Sequence, residues 1–254
     1  MKILAINGSH RPNGTTTTLT RKALEGAGSA GADTEMIMLS ELDIRYCTNC
    51  LKCYSDLESD IAPCSINDDV GMVLEKIRDA DGIILSSPVH NGFATGIMTT
   101  FMERIAWRLC RPTGEVLGLH GVPFPRLTQK SRAVATIMSA GCMPTKLRRF
   151  CDTGSPWLKE QGGITFNGEC IADMYAGAVL DRELEKDEWA KIYFLRKLSE
   201  KQLDEAFGIG VKMVDAIKNN RIRPFSLSST VGIFSNAAAK VVGRLINPYE
   251  ITKK

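Results

Sequence analysis

The stretch Lys2 to Leu19, KILAINGSHRPNGTTTTL, constrains the fold of this chain more than any other. An apolar run from Ile3 to Ile6 ends in a glycine- and hydroxyl-rich loop, after which Leu19, Ala23 and Leu24 begin a helical face. A buried strand that runs through a short loop into an amphipathic helix is the opening of a parallel βαβ unit. The pattern recurs. TEMIML (34–39) is a second strand, and Val70, Val73, Leu74 and Ile77 follow at i, i+3, i+4, i+7 behind Asp68 and Asp69, acidic residues that suit a helix N-terminus. GIILSSP (82–88) is a third strand, Ile97, Phe101 and Ile105 mark the next helix, and AVATIMSAG (133–141) is a fourth strand. GITFNGECIA (163–172) is the fifth, and 183–219 reads as a long helical stretch with Leu203, Phe207, Val211, Val214 and Ile217 on its apolar face. Alternation of this kind predicts a doubly wound α/β fold: a five-stranded parallel sheet with helices on both faces.

That domain is expected over residues 1–220, followed by a C-terminal helical arm at 221–254 in which SNAAAKVVGRLI forms a docking helix. The segment 111–130 is too long for an ordinary connection and reads as a lid or interface insertion. With 254 residues, 44% of them hydrophobic, the chain can bury one full core. Its 32 basic and 29 acidic residues are interspersed, which argues against a nucleic-acid face or a membrane-binding patch. The opening residues lack the features of a signal peptide, and no run approaches the ~18 apolar residues of a membrane span. A cytoplasmic protein with reduced thiols is the expectation.

The first loop places Gly8, Ser9, Arg11, Asn13, Gly14 and Thr15 to Thr18 at a helix N-terminus. Free N–H groups, hydroxyls and a guanidinium suit a terminal phosphate. A capped βα turn in which the threonines only satisfy the helix start is the other reading. No Gly-Lys-Ser/Thr ending follows, so a kinase or ATPase is excluded. Gly26, Gly28 and Gly31 spell G-x-G-x-x-G, but between a helix and a strand rather than the reverse, so they are expected to end the first helix. In an open parallel sheet, ligands bind beyond the strands' carboxyl ends, so the loops SSPVHNG (86–92) and SAGCMP (139–144) belong with the first.

Cys47, Cys50 and Cys53 have C-x2-C-x2-C spacing, which lets three thiolates converge, with Cys64 able to return as a fourth. An iron-sulfur cluster, zinc or unmetallated thiols all remain open, although zinc's usual paired spacings are absent. Cys110, Cys142, Cys151 and Cys170 suit small buried positions, with Cys142 also placed to tune a ligand or act as a redox-sensitive thiol.

GSHRPNGTTTTL, DADGIILSSPVHNG and the C-x2-C-x2-C stretch resemble the flavodoxin-like NAD(P)H-dependent FMN reductase family, and within it the iron-sulfur flavoprotein branch. The likeness covers roughly residues 1–145. It implies that Ser9, Arg11, Asn13, Gly14, Thr15 and Thr16 hold the FMN phosphate, that Pro88, Val89, His90, Asn91 and Gly92 border the isoalloxazine ring, and that Ser139, Ala140 and Gly141 close its other side. His90 is expected to stack on or beside the ring rather than to donate a proton. The resemblance further implies a 4Fe-4S cluster on Cys47, Cys50, Cys53 and Cys64, although the ten residues between the last two exceed the family's shorter gap. The flavin carries the chemistry, so no separate catalytic side chain is expected.

The implied function is electron transfer between FMN and a one-electron carrier such as ferredoxin, with NAD(P)H as another redox partner, in a homodimer or homotetramer. Two alternatives stand beside it: a cluster-free NAD(P)H-dependent FMN or quinone reductase, and a non-enzymatic binding module clasped by a metal.

Overall fold

The computed structural model describes residues 1–116, 119–141, 143–177 and 179–225. Its elements run β1 (Lys2–Asn7), α1 (Thr15–Ser29), β2 (Asp33–Met38), α2 (Lys52–Ser55), α3 (Val70–Asp79), β3 (Gly82–Pro88), α4 (Gly96–Leu109), β4 (Cys110–Val116), β5 (Leu119–Pro125), β6 (Arg132–Ser139), α5 (Arg148–Cys151), α6 (Gly154–Thr165), β7 (Gly168–Ala176), α7 (Ile192–Leu195) and α8 (Glu200–Lys218). Five strands form one parallel sheet in the order β2-β1-β3-β6-β7. This is the flavodoxin-like doubly wound order, with its reversal between β1 and β3.

Both sheet faces are covered, which is why the central strands read as unbroken apolar runs. Alternate residues separate the two layers. Leu4, Ile6, Ile83, Leu85 and Val134 pack under α3, α4 and α6 through Val73, Leu74, Phe101, Ile105 and Leu158. Ile3, Ala5, Ile84, Ala135 and Ile137 pack under α1 and α8 through Leu19, Ala23, Ile209 and Met213. None of the described helices is long and apolar enough to cross a membrane.

Two sequence expectations are corrected, the start of the fifth strand and the glycines after the first helix, and two others gain detail. Residues 163–166 end a helix instead of starting a strand: α6 runs to Thr165, Asn167 turns the chain with φ 51°, and β7 begins at Gly168. The long helical stretch expected within 183–219 is Glu200–Lys218, started by a capping box between Ser199 and Gln202. The segment 111–130 is largely an antiparallel hairpin of β4 and β5. Gly26 and Gly28 lie inside α1, and only Gly31, with φ 91°, turns the chain after it. The docking helix expected near residues 235–246, and Cys142, lie outside the described residues.

Gly26 has a packing role. A methyl group there would lie 2.0 Å from the Phe207 carbonyl oxygen, and one on Gly210 would lie 1.8 Å from that of Ala23. These glycines let α1 and α8 approach backbone to backbone. Gly210→Ala must therefore push the helices apart, at a cost of about 2–3 kcal/mol. A thermal melt should show Tm lower by roughly 5–10 °C, and an unchanged Tm would contradict this packing.

Candidate functional site

The first loop is built from within. Buried Asn7, at the end of β1, accepts a hydrogen bond from Ser9 N at 2.8 Å and donates to Thr17 Oγ1 at 3.2 Å. Thr17 Oγ1 in turn donates to the Arg11 carbonyl at 2.8 Å, and Ser9 Oγ accepts from Arg11 N at 3.1 Å. These bonds wrap the chain over the start of α1. The helix is capped by Gly14, which has no side chain to bond its first turn, so N–H groups at that end lack a side-chain cap, the feature that anion sites at helix starts use.

The three loops at this edge are bonded into one rim. Thr16 Oγ1 and Ser139 Oγ lie 2.7 Å apart, joining loop one to the end of β6. Val89 N donates to Ser139 O at 2.8 Å, joining loop three to the same residue. Thr95 Oγ1 donates to Gly8 O at 2.8 Å while its hydroxyl also caps α4. His90 and Phe93 exchange backbone hydrogen bonds of 2.9 and 3.0 Å around Asn91 and Gly92, whose φ values of 51° and 78° make a tight turn. Ala140 and Gly141 are buried just past β6, and Pro88 ends β3. Thus Ser9, Gly14, Thr15, Thr16, Pro88 to Gly92 and Ser139 to Gly141 share one rim. Asn13 is set apart: it is exposed, and its Oδ1 accepts from Arg21 at 3.4 Å.

The cysteine stretch borders this rim. His10, Ile44, Arg45, Tyr46, His90, Thr95 and Ile97 line one cleft, so loops one and three and the entry to the cysteines face a common space. Deeper, Cys47, Cys50, Cys53 and Cys64 line a single cavity with Tyr54, Arg104 and Trp107. Cys47 and Cys50 are exposed and Cys53 and Cys64 half-buried. Left-handed residues at Asn49 (φ 50°) and Leu51 (φ 58°) bend the chain between the first three.

Hydrogen-bond donors are aimed at three of the sulfurs. Asn49 N lies 3.4 Å from Cys47 Sγ, Ile66 N 3.4 Å from Cys64 Sγ, Arg104 Nη2 3.5 Å from Cys64 Sγ, and Ser65 Oγ 3.0 Å from Cys50 Sγ. Donors to sulfur favour the thiolate. Accordingly Ser65 and backbone N–H groups hold the Cys50 thiol below its usual range, whereas burial and the neighbouring Cys64 and Cys47 push Cys53 up. Burial pushes Cys110, away from this cavity, up to about 12. Among the described residues no three Cys, His, Asp or Glu groups are disposed to hold a metal ion. A single zinc needs four sulfurs within about 2.3 Å of one centre, whereas a cluster needs one thiolate per iron and a wider spread. The donor set, four sulfurs lining one cavity, is by its chemistry a thiolate site.

Three arginines that sequence reasoning missed hold the cysteine stretch: Arg126 and Arg108 fix the ten residues before Cys64, and Arg104 ties Arg45 to Asp68. Arg126, fully buried, donates to the carbonyls of Cys110 (2.8 Å), Ser59 (2.8 Å), Cys53 (3.1 Å) and Asp56. Arg108 Nε holds Ala62 O at 3.0 Å. Arg104 holds Arg45 O at 2.6 Å and Asp68 at 2.5 and 3.1 Å. Carbonyl-collecting arginines leave no sequence periodicity; Thr95, preceding the apolar α4 pattern, was findable as an N-cap.

Residues 1–141 match the family profile described as NADPH-dependent FMN reductase. An iron-sulfur flavoprotein of Methanocaldococcus jannaschii is 39% identical over 104 residues, covering 41% of this chain and 51% of that protein. One from Archaeoglobus fulgidus is 37% identical over 105 residues, covering 41% and 48%. The chain thus spans about half the length of the curated relatives it matches. Among solved structures, a flavone reductase superposes with a TM-score of 0.56 and 25% identity, covering 87% of this chain and 64% of that one. With more than half its length in that profile and the bonded rim in the matched part, the chain belongs to the NADPH-dependent FMN reductase family.

Proposed function

We propose that this chain is a flavin-dependent oxidoreductase that binds FMN on the three-loop rim, carries a 4Fe-4S cluster on Cys47, Cys50, Cys53 and Cys64, and passes electrons between a one-electron carrier and the flavin. The observation that supports it most is the shared cleft: His10 and His90 of the flavin rim and Tyr46 of the cysteine stretch line the same space. When bound, FMN supplies chemistry in one- or two-electron steps, and the cluster exchanges one electron at a time.

The chain's own residues bind and orient. The first turn of α1, with Ser9, Arg11, Thr15 and Thr16, holds the phosphate; the tight turn at His90 to Phe93 presents backbone groups to one ring edge; Ser139 to Gly141 close the other. Ser65 and backbone N–H groups favour the thiolate of Cys50. Exposed Tyr46 (78%) and Leu51 (52%) beside the cysteines suit a homodimer or homotetramer interface, which light scattering would test.

Titrating FMN with the flavin-free protein should quench its fluorescence with a micromolar or tighter Kd, and anaerobically purified protein should absorb as a flavin with a broad iron-sulfur shoulder. Absence of quenching at saturation would end the flavin assignment. A second reading, a cluster-free NAD(P)H-dependent FMN or quinone reductase, is supported by the matched family profile, which is described as NADPH-dependent FMN reductase. Rapid NAD(P)H oxidation by iron-free, FMN-loaded protein would support it.

A further inference from the structure

The segment between β7 and α8 lies beyond the family match at residues 1–141, yet it folds back onto the first and fourth loops. Its base is closed by an antiparallel bridge in which Lys197 N donates to Val179 O at 2.9 Å, and by the ion pair of Lys197 with Asp181 at 2.8 Å. Its outer half is stiffened by a capping box between Glu185 and Glu188, and by Arg182, which grips Glu188 through bonds of 2.5 and 2.6 Å.

Three side chains then meet the rim in succession. The Tyr193 ring sits directly on Gly141, where an added methyl would lie 2.1 Å from it. The Phe194 ring lies under the Arg11 guanidinium, 5.8 Å from its centroid. Arg196 Nη2 donates to Thr15 Oγ1 at 2.7 Å. Thr15 is the first residue of α1, so a second guanidinium stands at the glycine-capped helix start that Arg11 already borders. Guanidinium groups pair with phosphate through parallel N–H donors.

We propose that Arg196 is a second guanidinium ligand of the FMN phosphate, delivered by a strap (186–197) whose Tyr193 covers the Gly141 side of the ring position. The proposal rests on the flavin reading above and adds to it residues outside the matched region. The full-length chain, Arg196→Gln and Arg196→Lys should be titrated with FMN and, separately, with riboflavin, which has the same ring without the phosphate. Arg196→Gln should weaken FMN about 10- to 100-fold and leave riboflavin within about twofold, with Arg196→Lys between the wild type and Gln. Equal weakening of both flavins would make the strap a mere cover and overturn the phosphate role, as would an unchanged FMN Kd. Failure of the parent reading looks different, since the wild type itself would then bind no FMN. Should Arg196→Gln lose the wild-type circular dichroism, the Lys variant decides by the same FMN-to-riboflavin ratio.

Discussion

Cys50→Ala should yield protein without iron that still binds FMN. The cysteine lies on the exposed lip of its cavity, and its sulfur bonds neighbours within the loop, with Ser65 Oγ at 3.0 Å. The loop's shape is set elsewhere: Arg126 holds Cys53, Asp56 and Ser59, Arg108 holds Ala62, and Arg104 holds Arg45. Removing one sulfur therefore deletes a ligand and leaves the backbone in place. With one of four thiolates gone, one iron would lie open to solvent and oxidant, which weakens the hold on the cluster in air. The flavin rim depends on other bonds, Thr16 with Ser139 and Thr95 with Gly8, and should not notice. Iron and sulfide assays together with an FMN titration check both halves. Concerted loss of iron and flavin would mean that the cysteine stretch is needed for the fold; retained iron would remove Cys50 from the ligand set.

The parts of this molecule that were legible in its sequence are those where one residue's neighbours along the chain decide its role. β1, its loop and α1 could be read because apolar run, glycine loop and helical face succeed one another, and the asparagine-glycine pair after β3 marks its tight turn. Misreadings arose where a partner distant in sequence decides. Gly162, Gly163, Ile164 and Thr165 look like a strand entering from a turn, yet Gly162 lies in α6, where an added methyl would be 3.0 Å from Val134 and 3.2 Å from Leu85 on the sheet. Gly26 and Gly210 look like breakers, but each admits the other's helix. The Ser199/Gln202 capping box was a local signal that would have fixed the start of the helix read from Leu203 to Ile217. For the candidate site, the loops and cysteines were visible as residue types. Arg104, Arg126 and Arg196 were not, since an arginine that collects carbonyls or reaches 181 residues to a threonine looks like any surface charge.

Asp68→Asn should destabilise the protein by about 3–5 kcal/mol, the cost of breaking a buried ion pair from one side. Asp68 and Arg104 are each only 1% exposed and lie 2.5 Å apart. Asparagine keeps the shape but leaves the guanidinium charge buried without its counter-ion. The pair also ties the two ends of the cysteine stretch: Asp68 accepts from Arg45 N at 3.1 Å, and Arg104 holds Arg45 O and reaches Cys64 Sγ. Burial alone would raise the Asp68 pKa, but the hydrogen bond and charge of Arg104 outweigh it, and the carboxyl is held below its ordinary value. A depressed carboxylate contributes stability that is complete above the unfolded value of about 4 and is lost as pH falls below it toward the folded value. The stability gap between the parent protein and its Asp68→Asn variant should therefore be full at pH 7 and shrink below about pH 4. Denaturant midpoints measured in the iron-free Cys50→Ala background keep metal loss out of the comparison. Equal midpoints at pH 7 would show that the pair contributes no net stability, and a gap that widens on acidification would reverse the sign assigned to Asp68.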